Sequence, residues 1–588
     1  MSNSHDQENV LIITGVGMSK PLGLPSTNDI LEVFRQLIDV EHIDEPRRIK
    51  ERISAINENV FKFDDIATED FITTLAILHD GDGANNEKDA SDTETQFREN
   101  YFCLFEKYFP KVNRPVLKRH FNDYPLIYDW LSLKSIATDL YNNKKSETDD
   151  PDNGDGFNLL DILTTIQNSI FDNITIATKE LFHEETIDTK GIYYCDRRRL
   201  SGALNVYRLL TYKLFKHALR INSENNRPGI DTYSNFFYEI AKNHSGLKKL
   251  NRTETGHVRD NFLSNIAYAT YNWDPVLPFL GMKTCKKLNE ELYSEAPEGI
   301  WKKVYFDFGF PFSGVALKGE HEDIPIFMMG EDTAFQINSF TKDSYTTLDS
   351  VKSMILIKII KAFIPHGLIN LRICPRCQNG LFIFPEKLSE FKFKEIVRLM
   401  ATDPFPSKSD MDFISSQDGY KKVYESYIKG QPDEIICPKC DHPVYFEHSF
   451  MEIQSLVKPE KPGCANQIKF DFGDFFSKAN HIISLGYSFP PDDITNNIFY
   501  KTMKLRKDNQ GQNFKLSFLG KPIPDLSDKP WHSIDDIQRY IEREKDTELE
   551  RTVNSIKQIF SSKNVRLNFT GLPEAVEYLG TEGIIAFT

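Results

Sequence analysis

Two Cys-Pro-x-Cys sequences constrain the fold of this chain more than any other feature. They are Cys374 with Cys377, and Cys437 with Cys440. Four thiolates in two such pairs suit tetrahedral zinc with every position filled by protein, which is typical of a structural site. The segment 378–436 is longer than the spacing of about 15–20 residues in a compact zinc ribbon. We therefore expect a small zinc-binding domain with an insertion; the alternative is two unrelated turns.

The chain begins with the pattern of a strand followed by a helix. Residues 10–14, Val-Leu-Ile-Ile-Thr, are apolar and rich in β-branched side chains, which predicts a buried strand of a parallel sheet. Residues 30–37 have the apolar period of a helix, for which Ser26, Thr27 or Asn28 would be the N-cap. This unit predicts an α/β fold.

A glycine-rich turn, Gly-Val-Gly-Met-Ser, follows the first strand directly. Gly15 and Gly17 permit positive φ angles and let backbone N–H groups approach a pyrophosphate. The GxGxxG fingerprint is incomplete, because Lys20 occupies the position of its third glycine. The turn therefore indicates either a dinucleotide site or a purely structural connection.

Further short apolar runs end in small or polar residues, at 265–277, 481–493, 514–520 and 565–571. Sequence with the apolar period of a helix follows most of these runs. We therefore predict a parallel sheet assembled from distant parts of the chain. In open α/β sheets, ligands bind beyond the carboxyl ends of the strands. We expect the polar residues at these strand ends to form a site.

Three polar side chains are candidates for chemistry. Asn272 and Asp274 would hydrogen-bond sugar hydroxyls or an amide; the alternative is an Asx-turn before Pro275. His366, which precedes Gly367 and the first cysteine pair, is suited to general-base catalysis near neutral pH. The alternative for His366 is a histidine with only a structural role.

The region 41–255 differs from the rest of the chain. Aromatic-rich helical periods recur at 97–109, 200–218 and 233–242. Two acidic polar runs, 80–96 and 142–156, are too polar to bury and are predicted to be loops. We interpret this region as a large helical insertion.

Charge and hydropathy limit the partners. The net charge of −15 over 588 residues makes attraction to a polyanion unfavourable, so direct nucleic-acid binding is not expected. No run of about 18 apolar residues is present, and the N-terminus lacks the pattern of a secretory signal. An intracellular, cytoplasmic protein is predicted, in which paired cysteines indicate metal binding and not disulfides.

The serial order of these motifs resembles that of the sirtuin family of NAD-consuming enzymes. The order is Gly-x-Gly-x-Ser, Thr-x-Asn-x-Asp, His-Gly, two CxxC pairs and an apolar strand ending in Gly-x-Ser. The resemblance covers 9–34, 262–282 and 355–588. The sequences Leu-Gly-Leu-Pro-Ser-Thr-Asn and Gly-Tyr-Ser-Phe-Pro-Pro-Asp-Asp are more similar to divergent bacterial sirtuin-like proteins of anti-phage defence than to protein deacetylases.

The resemblance implies a Rossmann-like domain and a smaller zinc-binding domain, with NAD between them. The Rossmann-like domain would comprise 1–40, 256–365 and 465–588, interrupted by the helical insertion 41–255 and by the zinc-binding domain 366–464. Asn272 and His366 would be catalytic, with His366 as the base. The other contacts would be made to the pyrophosphate and ribose by Gly15, Gly17 and Ser19, to the nicotinamide ribose by Asn272 and Asp274, to the adenosine half by Gly486 and Ser488, and to structural zinc by Cys374, Cys377, Cys437 and Cys440.

Departures from the deacetylases narrow the reaction that is expected. Ser26-Thr27-Asn28 stands where those enzymes continue with Asp-Phe-Arg, and Val16 stands in place of an alanine. Because that arginine shapes the nicotinamide site, acyl-lysine chemistry is put in doubt, and hydrolysis of NAD to nicotinamide and ADP-ribose remains. The alternatives are a protein deacylase or ADP-ribosyltransferase, and a non-catalytic sensor of an NAD derivative or scaffold.

An NAD hydrolase must be inactive at rest, so we expect assembly to gate it. The insertion is a natural site for homo-oligomer formation or partner docking. The resemblance implies a role in abortive anti-phage defence and, as a partner, a HerA-type ring ATPase. This chain has no Walker motif, so ATP hydrolysis would require such a separate subunit.

Overall fold

The structure is a computed structural model of the 588-residue chain. It describes residues 9–38, 51, 56, 63–83, 127–147, 159–179, 192–224, 229–244, 263–295, 300–307, 312–316, 354–384, 405, 435–437, 439–452, 463–490, 494–509, 514–527 and 529–587.

Seven parallel strands, numbered by their order along the chain, form the central sheet. In spatial order they are β15 (Val565–Asn568), β14 (Lys515–Leu519), β13 (His481–Leu485), β1 (Val10–Thr14), β4 (Leu263–Thr270), β7 (Met354–Phe363) and β5 (Ile300–Asp307). All residues of β1 and β13 are buried. Strands of a parallel sheet with both faces covered are mostly apolar, which explains these runs; His481 and Ser484 are the buried polar residues of β13.

The predicted α/β class and parallel sheet are confirmed. The first strand, 10–14, has the expected bounds, and strands occupy the other four predicted apolar runs. β5 and β7 lie outside the predicted strands. Lysines interrupt both sequences, which weakens the apolar signal on which the prediction depends.

Helices connect and cover the strands. The described α-helices are α1 (Val16–Ser19), α2 (Thr27–Ile38), α3 (Asp65–Gly83), α4 (Trp130–Glu147), α5 (Leu159–Phe171), α6 (Arg197–Glu224), α7 (Gly229–His244), α8 (Val276–Glu295), α9 (Gly463–Lys478), α10 (Ile494–Asn509), α11 (Ile534–Glu544), α12 (Thr547–Ile559) and α13 (Glu574–Ile585). Short 3-10 turns lie at Lys20–Leu22, Phe446–His448, Pro524–Leu526 and Ser562–Asn564. No helix of the described residues is long and apolar enough to cross a bilayer.

The predicted cap of α2 is confirmed at Ser26. The Asp29 N–H donates to Ser26 Oγ at 3.3 Å, and the Asp29 carboxylate accepts from the Ser26 N–H at 2.7 Å. This reciprocal pair satisfies N–H groups that the helix leaves without an intrahelical partner. Gly23, with φ +81°, ends the preceding turn and redirects the chain into the helix.

The described part of the region 41–255 is mainly helical, as predicted. It contains α3 to α7 and one antiparallel hairpin of β2 (Ile176–Lys179) and β3 (Ile192–Cys195). The loop prediction is wrong at 80–83 and 142–147, which belong to α3 and α4. Backbone hydrogen bonds continue a helix through polar residues that water can solvate. The rest of both acidic runs and the helical period 97–109 lie outside the described residues.

A second, four-stranded sheet forms the smaller unit. Its order is β12 (Ser449–Met451), β8 (Gly367–Ile373), β9 (Gly380–Phe384) and β6 (Phe312–Ala316), accompanied by a short hairpin of β10 (Ile435–Ile436) and β11 (Pro443–Val444). β6 comes from earlier in the chain than the segment 366–464. The predicted insertion at 386–433 lies outside the described residues except for Phe405.

A buried charge cluster joins the helical insertion to Phe405. Lys213 Nζ lies 2.9 Å from Asp70 Oδ1 and 2.7 Å from the Phe405 carbonyl, and His217 Nε2 lies 2.6 Å from Asp70 Oδ2. Burial alone would raise the pKa of Asp70, but the ammonium groups of Lys213 and Lys216 hold it well below its usual value. One hydrogen bond from this cluster, donated by Lys213 to the Phe405 carbonyl, thus links the insertion to Phe405.

Candidate functional site

Four connections meet at the carboxyl edge of the central sheet. They follow β13, β1, β4 and β7, which are adjacent strands in that order. Thr14 is in register with both Leu485 and Thr270, and Ala269 is in register with Phe363, so the strands end at similar levels. Ligands of α/β proteins bind at this edge. The motifs predicted to form one site are therefore spatial neighbours.

The turns after β1 and β13 touch through glycine backbone. Gly17 N–H donates to the Gly486 carbonyl at 3.1 Å, and Gly15 N–H donates to the Leu485 carbonyl at 3.0 Å. A Cβ on Gly17 would lie 2.7 Å from Gly486 Cα, and a Cβ on Gly486 would lie 2.4 Å from Gly17 Cα. Such distances exclude any side chain at either position.

These contacts show why Gly15 and Gly17 are glycines. The sequence predicted a need for positive φ angles, but Gly15 has a φ of −132°, and the positive φ, +69°, is at Gly486. The N–H groups of Gly15 and Gly17 already bind protein carbonyls. The first two glycines are therefore needed for the close approach of two backbones, which brings Ser488 and Ser19 to the same edge of the sheet.

Asn272, Ser19 and Asp274 form a chain of hydrogen bonds. The Asn272 amide nitrogen donates to Ser19 Oγ at 2.8 Å, and the Ser19 hydroxyl donates to Asp274 Oδ2 at 2.7 Å. Ser19 and Asp274 are each 2% exposed, while Asn272 is half-buried. The chain joins the connection after β1 to the connection after β4 and fixes the orientation of the Asn272 amide.

Asp274 fixes the buried end of this series of hydrogen bonds. Its Oδ1 accepts from the Val276 N–H at 2.9 Å, so the Asx-turn considered from the sequence is present at the start of α8. Burial raises the pKa of Asp274, although its hydrogen bonds to Ser19 and Val276 oppose the shift. Asp274 thus acts on the cleft through Ser19, as a positioning residue.

His366 lies between two hydrogen-bonding groups. Its Nδ1 is 3.2 Å from the Tyr271 carbonyl, and its Nε2 is 3.4 Å from the amide nitrogen of Asn496. The imidazole also packs edge-on against the Tyr271 ring, with centroids 5.0 Å apart. The ring is half-buried. His366 therefore reaches the residue that directly precedes Asn272, as a shared site requires.

The glycine after His366 has a clear local cause. Gly367 has a φ of +72°, and a Cβ there would lie 1.8 Å from the Phe450 carbonyl oxygen. The Glu452 N–H donates to the His366 carbonyl at 2.8 Å, and the Trp273 indole donates to the Glu452 carbonyl at 3.1 Å. The antiparallel pairing of β12 with β8 thus requires glycine at position 367, and the bond from Glu452 fixes the backbone of His366.

Three tyrosines form one wall of the site. They were not among the residues predicted from the sequence. The Tyr271 and Tyr487 rings stack with centroids 4.3 Å apart, and the Tyr271 hydroxyl is hydrogen-bonded to that of Tyr500. Each of the first two is an aromatic residue just after a buried strand, which is a usable signal. Tyr500 and Asn496 lie on α10 and carry no local signal.

The four predicted metal ligands form a separate centre. The sulfur atoms of Cys374, Cys377, Cys437 and Cys440 lie within 4.8 Å of one another. Two of the distances, from Cys374 to Cys440 and from Cys377 to Cys437, are 3.6 Å. That is too long for a disulfide of about 2.05 Å and close to the edge of about 3.8 Å that tetrahedral zinc–sulfur bonds of about 2.3 Å require.

The two cysteine pairs have matching backbone geometry. Gln378 N–H donates to the Cys374 carbonyl, and Asp441 N–H donates to the Cys437 carbonyl, both at 2.9 Å. Gln378 and Asp441 have φ values of +58° and +55°. Burial raises the pKa of the Cys377 and Cys437 thiols, whereas for Cys374 the nearby backbone N–H groups outweigh burial and lower the pKa. The residues fit a structural metal ion.

The metal centre and the strand-end cleft lie at opposite ends of β8. His366 immediately precedes this strand and Cys374 immediately follows it. Seven residues of extended chain correspond to about 23 Å. The cysteines therefore take no direct part in chemistry at His366.

Comparison with models of protein families finds no match to this chain. Comparison with curated proteins finds no significant match.

Proposed function

We propose that this protein is an NAD hydrolase of sirtuin type, which cleaves the bond between nicotinamide and ribose. The observation that carries the proposal is the meeting of Ser19, Asn272 and His366 at adjacent strand ends. A hydroxyl, an amide and an imidazole held together can orient a ribose and accept a proton. The order of the motifs along the chain supports the same reaction class.

The proposed reaction breaks the bond between ribose C1′ and the nicotinamide nitrogen, and the electron pair leaves with nicotinamide. Glycosyl transfers of this kind pass through an oxocarbenium-like transition state. The oxygen of water forms the new bond to C1′, and its proton goes to Nε2 of His366. Asn272, held by Ser19, would orient the ribose hydroxyls. The products are nicotinamide, ADP-ribose and a proton.

The rings of Tyr271 and Tyr487, which are 8% and 6% exposed, stack on each other and form a buried apolar wall beside His366. Apolar walls with a few fixed polar groups are typical of small-molecule sites. For the separate centre, we propose Zn²⁺ as the ion that Cys374, Cys377 and Cys437, together with Cys440, would hold. Zinc would stabilise the smaller unit.

The proposal is tested by incubating the purified protein with NAD and separating the products. We expect free ADP-ribose and nicotinamide without any acyl-lysine substrate. His366→Ala and Asn272→Ala should each lower nicotinamide release by about 10²–10⁴-fold, because general-base assistance has that size. Asn509→Ala, at an exposed asparagine of α10, is the control and should keep the wild-type rate.

Zinc content and melting temperature should be unchanged in all three variants. Wild-type turnover in the histidine variant would remove the assignment of the base. Release of nicotinamide only when an acyl-lysine or a protein acceptor is added would instead favour a deacylase or an ADP-ribosyltransferase.

We also propose that assembly gates this activity, through the helical insertion. Three large apolar side chains of the insertion are exposed: Phe171 at 61%, Ile174 at 53% and Tyr194 at 60%. Exposed large apolar side chains of this kind are candidates for a protein interface. Repeating the NAD assay with the isolated chain and with a reconstituted ring ATPase tests this; equal rates at every assembly state would exclude gating.

A further inference from the structure

The hydrogen bonds of His366 define which ring nitrogen can act as a base. A backbone carbonyl oxygen can only accept, so the 3.2 Å contact of Nδ1 with the Tyr271 carbonyl requires a proton on Nδ1. In the neutral ring, the lone pair is then on Nε2. The Asn496 amide nitrogen, at 3.4 Å, is a donor that matches this lone pair.

Helix α10 supplies two contacts to this region from one face. Asn496 and Tyr500 are four residues apart, so their side chains lie one above the other on the helix. Asn496 contacts His366, and the Tyr500 hydroxyl contacts that of Tyr271, whose carbonyl binds the other ring nitrogen of His366. Asn496 is 7% exposed and Tyr500 is fully buried, so packing restrains both. The imidazole is therefore held on both edges by a closed ring of contacts.

We propose that Asn496 is a positioning residue that holds Nε2 of His366 ready for proton uptake, an inference that rests on the proposed function. The contact of Nδ1 with the Tyr271 carbonyl restrains one edge of the imidazole. The Asn496 amide fixes the other side and keeps Nε2 without a proton. A base that is already oriented avoids the loss of rate that misplacement causes.

The amide also suits the protonated ring. Once Nε2 carries a proton, a donor facing it is unfavourable, but rotation of the Asn496 side chain presents Oδ1, which accepts. An asparagine can therefore satisfy His366 before and after proton transfer. Aspartate cannot, because its carboxylate only accepts and would stabilise the charged imidazole. Leucine can do neither.

Two variants of similar size test this role, with an exposed asparagine of the same helix as control. Asn496→Leu and Asn496→Asp should each lower kcat for NAD at least tenfold and change KM less than twofold, because the substrate contacts remain. Asn509→Leu should keep the wild-type kcat, since Asn509 is exposed at the end of α10.

The state of the ring is followed independently by NMR of protein labelled with ¹⁵N-histidine, with the His366 signals assigned from His366→Gln. In the wild type, Nδ1 should carry the proton at neutral pH. The Nε2 signal should move toward that of a free lone pair in Asn496→Leu and toward that of a protonated nitrogen in Asn496→Asp.

Two results would overturn the inference: wild-type kcat in both Asn496 variants, or Nε2 signals that neither variant moves. If the wild type does not hydrolyse NAD but the signals move as expected, the proposed function fails while the contact of Asn496 with the ring stands. The two failures are therefore distinguishable.

Discussion

The cysteine cluster and the strand-end cleft are built in opposite ways. The cluster takes its four sulfur atoms from two short local sequences, and they lie within 4.8 Å of one another. The cleft takes its side chains from connections that are far apart in the chain, and Asn272 and His366 remain half-buried. β8 joins the two centres and keeps them apart.

This difference fits the two proposed roles, a structural one for the cysteine cluster and a chemical one for the strand-end cleft. Four cysteine ligands would fill the coordination sphere of a tetrahedral metal ion and leave no position for a substrate. In the cleft, the side chains of Ser19, Asn272 and Asp274 hydrogen-bond to one another. Asn272 and His366 are half-buried, so part of each remains accessible to a ligand. Three changes test this comparison, and they are ordered by expected effect.

Loss of one cysteine should have the largest effect. A structural zinc contributes about 10–16 kcal/mol of apparent binding free energy in small zinc-binding peptides. Cys437→Ser should therefore reduce zinc from one ion per chain to nearly none and lower the melting temperature of the smaller unit. Elemental analysis and calorimetry measure these quantities. Cys285→Ala, at a buried cysteine outside the cluster, should retain the metal; equal zinc in both variants would contradict the assignment.

A side chain at the contact between Gly17 and Gly486 should have an intermediate effect, a loss of stability. Gly486→Ala introduces a Cβ 2.4 Å from Gly17 Cα at a φ of +69°. Overpacking and the left-handed conformation together cost about 2–5 kcal/mol. Thermal unfolding should show this loss, and cysteine-bound zinc should remain.

The matched control is Gly583→Ala, in α13. A Cβ on Gly583 would be 3.5 Å from Leu579 Cβ, an ordinary contact. Alanine in a helix should stabilise the protein by about 0.5–1 kcal/mol relative to glycine. If both alanine variants have the wild-type melting temperature, the close approach of the two turns is not important for stability.

The smallest effect concerns the charge of Asp274. Because burial raises its pKa, the folded protein binds the proton more tightly than the unfolded chain does. Stability from this group is present below the unfolded pKa, about 3.9, and is lost as pH rises toward the higher folded value. The melting temperature of Asp274→Asn should therefore rise relative to that of the wild type across this window. A difference independent of pH would show that Asp274 does not titrate there.

Local features of the fold were predictable from the sequence. β1 and the Ser26 cap depend on residues that are adjacent in the chain, and both are confirmed. Each cysteine pair is also local, and the predicted clustering of the two pairs is confirmed. β5 and β7 were not predictable in the same way, because lysines interrupt their apolar runs. The candidate site was predictable only at its strand ends.

Other parts of the site depend on contacts between distant segments. Asn496 is one of several asparagines on a polar helix, and only the docking of α10 brings it to His366. The use of Gly15 and Gly17 was also hidden, because the backbone that they accommodate lies at Gly486.

The sequence by itself determined five strands of the sheet, the Ser26 cap of α2 and the four cysteines that cluster, because backbone preference and donor chemistry are set by neighbouring residues. Tertiary structure alone decided that β13, β1, β4 and β7 lie side by side, and hence which side chains share the cleft. Pairing of strands far apart in the chain depends on the close packing of whole segments, which no local pattern specifies.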